Sequence, residues 1–164
     1  MTDPRQNELR RLWDGPGPDE RAEAWQITEF RVFCPGNAKG VLDRCREVLD
    51  VVLREAPERW PTDEEWRSKL PGWFVSASAE EISQAEADRR LKLPMKERLR
   101  YAEQWSVGAF VYWFLPGERM WYWWNATVRN ADRLTVQVWT SDVPVTGSLR
   151  WLLTAAGATS VHTW

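Results

Sequence analysis

Arg119-Met120-Trp121-Tyr122-Trp123-Trp124-Asn125-Ala126-Thr127-Val128-Arg129, then Asn130-Ala131-Asp132, then Arg133-Leu134-Thr135-Val136-Gln137-Val138-Trp139-Thr140: these three segments decide the fold. Two runs rich in aromatic and β-branched residues flank a tripeptide of turn formers, the pattern of an antiparallel hairpin. A three-residue turn sets Arg129 opposite Arg133 and so predicts Val128 opposite Leu134, Ala126 opposite Val136 and Trp124 opposite Val138. With Met120 and Tyr122 these form an apolar face suited to helix packing. The other face then carries Trp121, Trp123, Asn125, Thr127 and Arg129, pairing Thr127 with Thr135, Asn125 with Gln137 and Trp123 with Trp139.

Upstream, Val107 to Leu115 is a third aromatic and β-branched run, set off by Pro116-Gly117-Glu118. It predicts a three-stranded meander and puts Phe110, Tyr112 and Phe114 on the same face as Trp121 and Trp123. That face is expected to be an aromatic platform at one end, grading into amide, hydroxyl and guanidinium groups at the other. Downstream, Pro144 to Ala156 reads as a helix with Leu149, Leu152 and Leu153 on one side and Gly157 as its stop. Ala158 to Trp164 reads as a final strand.

Toward the N-terminus, Val41, Leu42, Cys45, Val48, Leu49, Val52, Leu53 and Ala56 recur at three- and four-residue steps, which predicts a core-facing helix between Asn37 and Pro57. Trp25 to Cys34 is the first predicted strand. Thr62-Asp63-Glu64-Glu65 is a capping-box pattern opening a short helix, and Trp73 to Ala77 reads as a short buried strand. Ser78-Ala79-Glu80-Glu81 repeats the capping pattern, so 79 to 104 is expected to be one kinked helix or two, with Leu99 and Ala102 turned inward after Pro94. Residues 5 to 13 form a short helix ended by Asp14-Gly15-Pro16-Gly17-Pro18-Asp19, and the first 20 residues are expected to be a peripheral arm. The element order predicts one α+β domain over 1–164. Its sheet is mainly antiparallel, a C-terminal three-stranded meander plus edge strands, with helices on one face.

Thirteen tryptophans in 164 residues are the compositional signature, and the formal charge is only -2 with both signs interspersed. Such a balance gives no field that draws the chain to phosphate backbones, so nucleic acid is disfavoured as a partner. No stretch approaches the length of apolar sequence that spans a bilayer, and the polar N-terminus lacks a signal-peptide pattern. A cytoplasmic protein without a membrane partner is the expectation. Excess arginine and only two isoleucines, Ile27 and Ile82, point to a high-GC bacterial genome.

The chemical motifs are sparse. Cys34 and Cys45 are too few and too local for a disulfide framework, and read as reduced thiols. Cys34 to Gly40 joins a strand to a helix start, where an anion could sit, but it fails the phosphate-loop pattern. A catalytic thiol would want a histidine, and the chain has only His162, which meets Cys34 if the last strand lies beside the first. One histidine and two separated cysteines give no metal-ligand spacing. Glu80, Glu81, Glu86 and Asp88 read as a solvated helix face. Arg89, Arg90, Lys92, Lys96, Arg98 and Arg100 form the one locally basic stretch, a better match to an acidic protein than to nucleic acid.

No cofactor and no catalytic residue are expected. The platform of Phe110, Tyr112, Trp121, Trp123, Asn125, Arg129, Gln137 and Trp139 has two readings, a second core covered by the chain itself or a binding surface. The second implies a non-enzymatic protein-binding module, in concrete form a bacterial toxin-neutralising immunity protein acting by occlusion. Its alternative is a small-molecule or carbohydrate-binding domain with tryptophan walls, ahead of an enzyme of unknown class. A second copy of the chain would also suit an aromatic sheet face.

Overall fold

Apolar period and end-caps account for most of the helices. The computed structural model describes residues 3–102, 104–140 and 145–163. α1 (Pro4–Asp14) starts on Asp3, whose carboxylate accepts from the Arg5 backbone N–H, and ends at Gly15 with φ +75°. β1 (Ile27–Phe33) leads through a turn into α2 (Ala38–Leu53), which buries Ala38, Val41, Leu42, Cys45, Val48, Leu49, Val52 and Leu53 at helical spacing. α3 (Asp63–Lys69) has the expected reciprocal capping box between Thr62 and Glu65. α4 (Gly72–Ala77), α5 (Gln84–Leu91), α6 (Met95–Ala102) and α7 (Val107–Tyr112) follow as short helices. β2 (Trp121–Val128), β3 (Arg133–Thr140), α8 (Gly147–Ala155) and β4 (Ser160–Thr163) complete the described chain.

The strands form one antiparallel sheet in the order β2-β3-β1-β4, so the molecule is α+β as its element order predicts. α2 crosses β2 and β3, α1 lies against α2 and β2, and α8 packs on α2 and β4. Phe30, Val32, Leu134, Val136 and Val138 point from the sheet into that layer. The short helices join the same core through a series of tilted and edge-to-face rings. Phe74 meets Phe110 at 4.9 Å, Phe110 meets Phe114 at 5.1 Å, and Phe114 meets Trp121 at 5.6 Å.

Three expectations are corrected. Val107 to Leu115 is not the first strand of a meander but contains α7, because its buried residues Val107, Phe110, Val111 and Phe114 fall at i, i+3, i+4 and i+7. Ser106 caps that helix by accepting from the Ala109 N–H. Trp73 to Ala77 is helical as part of α4, started by Pro71, whose carbonyl accepts from the N–H groups of Phe74 and Val75. The third concerns where α5 begins. Ser78 closes α4, and the Glu81 carboxylate accepts from the Gly108 N–H at 2.7 Å, so the cap of α5 is Ser83, which accepts from the Glu86 N–H. The span 79 to 104 thus resolves into two helices. Leu99, expected to turn inward after Pro94, is exposed instead, while the predicted helix start at Pro144, the strand end at Trp164 and the side chain of Ala102 lie outside the described residues.

The first residues are also more than an arm. Leu12 and Glu8 of α1 are buried, and the Glu8 carboxylate meets Arg119 just before β2.

Candidate functional site

The register of β2 determines which side chains share a face. From Val128 to Asn125 the pairing with β3 is as predicted: Val128 opposite Leu134, Ala126 opposite Val136, Thr127 opposite Thr135, Asn125 opposite Gln137. Between Trp123 and Asn125 the register shifts, so that Trp123 pairs with Val138, Tyr122 with Trp139 and Trp121 with Thr140. Trp124 is the extra residue of a β-bulge, and a bulge reverses the face of everything beyond it. Arg11 holds the bulge in place. Its Nε donates to the Trp123 carbonyl at 3.1 Å, its guanidinium lies 5.3 Å from the Trp124 ring, and Glu20 pairs with it at 2.9 Å. Gly15 lets the chain turn back here, and a Cβ at that position would come within 3.0 Å of Asn125 Oδ1.

Trp121 and Trp123 are therefore core residues, and the assignment of both to an exposed platform is corrected. Trp121 Nε1 donates to Ser148 Oγ of α8 at 2.9 Å. Phe110 is likewise buried, whereas Tyr112 is exposed on α7 against Trp113, away from the sheet face. Asn125, Arg129, Gln137 and Trp139 are the predicted residues that do share the uncovered face.

That face reads rung by rung. Tyr122, Trp139 and Ile27 form its first row, with the Tyr122 and Trp139 rings 5.8 Å apart and edge to face. Asn125, Gln137 and Glu29 form the second, where the Gln137 amide donates to the Glu29 carboxylate at 3.0 Å. Thr127, Thr135, Arg31 and His162 form the third, and Arg133, Phe33 and Ser160 the fourth. Arg129 bends over Thr135 with Nε donating to Oγ1 at 3.1 Å, and Arg133 lies 5.8 Å from the Phe33 ring. The expected gradient from aromatic to amide to guanidinium is present, with Tyr122 in the place of Trp121 and Trp123. At its guanidinium end the face hollows into a concavity of 760 Å³ whose lining includes Glu29, Arg31, Phe33, Arg129, Arg133 and His162.

Four of those six residues, Glu29, Arg31, Phe33 and His162, lie outside the hairpin and escape a reading of it alone. β1 offers the signal, since Phe30 and Val32 alternate with Glu29, Arg31 and Phe33. Using it requires knowing that β1 pairs with β3, a contact more than 100 residues distant in sequence.

The remaining motifs do not converge on this face as chemistry. β4 does lie beside β1, yet Cys34 is buried while His162 is exposed opposite Arg31. Burial raises the Cys34 thiol above its ordinary value, and burial together with the neighbouring Cys34 raises Cys45 further. Both thiols are thus held in the unreactive protonated form. In the folded protein neither should react with an aromatic disulfide reagent at about pH 8, and both should react once it is denatured. Prompt labelling of either in the native state would contradict their burial.

The strand-to-helix loop after Cys34 already has its partners. Asp132 of the β2–β3 turn accepts from the Gly36 N–H at 2.6 Å through its carboxylate and from the Cys34 N–H at 2.7 Å through its carbonyl. No group of three histidine, cysteine or carboxylate side chains able to hold a metal occurs among the described residues. No helix among the described residues is long and apolar enough to cross a membrane. Comparison with protein-family models, with curated proteins and with solved structures finds no match.

Proposed function

We propose that the protein is a non-enzymatic binding module whose working surface is the uncovered sheet face and whose partner is another protein. The observation that carries this reading is the residue set on that face. Tyr122 and Trp139 at one end, with Arg31, Arg129 and Arg133 at the other, are the side-chain types that dominate binding energy at protein interfaces. Among the described residues the helices lie on the opposite side of the sheet. Occlusion of a partner needs a complementary surface and no catalytic constellation, so a toxin-neutralising immunity protein of a bacterial cell is the concrete form we propose.

The test is affinity capture from the native cell with wild type, Trp139→Ala and Arg129→Glu/Arg133→Glu. Wild type should retain a protein partner, a toxin in the concrete form. Each variant should retain it with affinity lower by about ten-fold or more while its thermal midpoint stays within about 4 °C of wild type. Equal retention by all three proteins would refute the sheet face as the working surface. Recovery of a metabolite in place of a protein would favour a small-molecule site, the second reading, which the 760 Å³ concavity supports because its volume is that of ligand pockets.

A further inference from the structure

We infer that the α5–α6 hairpin is a second docking surface, built to receive an acidic amphipathic helix of a protein partner. This stands independently of the sheet face. Leu91, Met95 and Leu99 are 67, 66 and 58 % exposed, and Ile82 and Tyr101 are exposed elsewhere on the same segment. Large apolar side chains clustered in one short stretch at such exposure mark an interaction site more often than single scattered ones do.

The charge around them has a definite order. At about 100° per residue, Met95 and Leu99 form one column along α6, Lys96 and Arg100 form the adjacent column, and Glu97 falls on the far side. Arg98 flanks the apolar column on its other side, with its Nε shielded and without a hydrogen-bond partner among the described residues. Within the hairpin, Glu86 pairs with Arg89 and Arg90, which holds its carboxyl down at about 2, and Arg90 stacks 4.0 Å from the Tyr101 ring. Lys92, Lys96, Arg98 and Arg100 have no ion pair among the described residues. An apolar column bordered by unpaired cations complements a helix with an apolar stripe bordered by carboxylates.

The length of α6 favours a protein over an anionic bilayer. α6 has only eight residues, short for a helix that lies in the membrane interface.

The experiment uses the full chain and a fluorescein-labelled helical peptide of about 18 residues, with leucines on one stripe and glutamates on both borders. Anisotropy should show binding that weakens as salt rises from about 50 to about 300 mM, and the same peptide with lysines for glutamates should not bind. Met95→Ser/Leu99→Ser and Lys96→Glu/Arg100→Glu should each lower affinity by about ten-fold or more. Lys39→Glu, a charge reversal on an exposed part of α2, should leave it unchanged. The inference is overturned if both peptides bind alike or if the two double variants bind like wild type. Co-sedimentation with phosphatidylcholine vesicles containing about one third phosphatidylserine, without binding of the acidic peptide, also overturns it.

Discussion

Glu8→Ala is expected to be among the most destabilising single changes, at about 3–5 kcal/mol, because it leaves a buried guanidinium without its counter-charge. The side chains of Glu8 and Arg119 are 1 and 6 % exposed. Arg119 Nη2 donates to both Glu8 oxygens at 2.6 and 2.8 Å and to the Trp121 carbonyl at 2.8 Å. Tyr122 and Phe114 close over the guanidinium, with ring centroids at 4.3 and 5.1 Å. Arg5 lies close enough that Arg119 helps lower its pKa, second to burial, so removing Glu8 also exposes two cations to one another. One carboxylate thereby joins α1, the end of α7 and the entry to β2. A chain of this length should lose about 6–20 °C of thermal midpoint, measurable by calorimetry. Glu8→Gln keeps the shape but not the charge and should recover only part of the loss. Glu8→Leu/Arg119→Met removes both charges and should be markedly more stable than Glu8→Ala, since a buried pair replaced by apolar groups of similar volume is often tolerated. If the double variant is as unstable as Glu8→Ala, the loss comes from packing and not from the orphaned cation.

This buried pair also marks where sequence patterns stop being informative. α2 and α3 were legible because their signals are local: a helical period of apolar residues in one, a capping box in the other. α7 was misread because Phe110, Tyr112 and Phe114 also satisfy a two-residue period, and aromatic and β-branched residues favour strands. What decides for helix is the set Val107, Phe110, Val111 and Phe114, together with the Ser106 cap. Ser78 and Ser83 both precede a glutamate by three residues, and only tertiary contacts to α4 and Gly108 determine which one caps α5. The hairpin of β2 and β3 was legible from its turn as far as Asn125. Beyond it the register depends on Arg11, more than 100 residues away in sequence, and on the turn at Gly15. The gradient of the open face survived this error because Tyr122 is also aromatic.

Trp123→Ala and Trp139→Ala should have very unequal costs, and the pair tests where the bulge sits. Trp123 is fully buried opposite Val138, so truncation leaves a cavity in the core and should cost about 3–5 kcal/mol. Trp139 lies on the open face, in edge contact with Tyr122, and its truncation should cost about 1 kcal/mol or less. An unbulged strand, with Trp123 opposite Trp139 on that face, would make the two costs similar. Trp123→Phe refines the comparison. The Trp123 Nε1 hydrogen is buried without an acceptor among the described residues, so phenylalanine removes a polar group that folding leaves unsatisfied. It should therefore be destabilising by clearly less than alanine. Deleting Trp124 acts on the register itself. Without the extra residue, Trp123 would adjoin Asn125 directly and keep its place opposite Val138, so Trp121 and Trp123 would stay in the core, Tyr122 would stay on the open face, and the bond from Trp121 Nε1 to Ser148 would be kept. The deletion should keep cooperative unfolding in calorimetry, with a loss limited to contacts at the bulge such as that of Arg11 with the Trp124 ring. A deletion variant that loses cooperative unfolding would place the irregularity elsewhere in β2 and return Trp121 and Trp123 to the binding face.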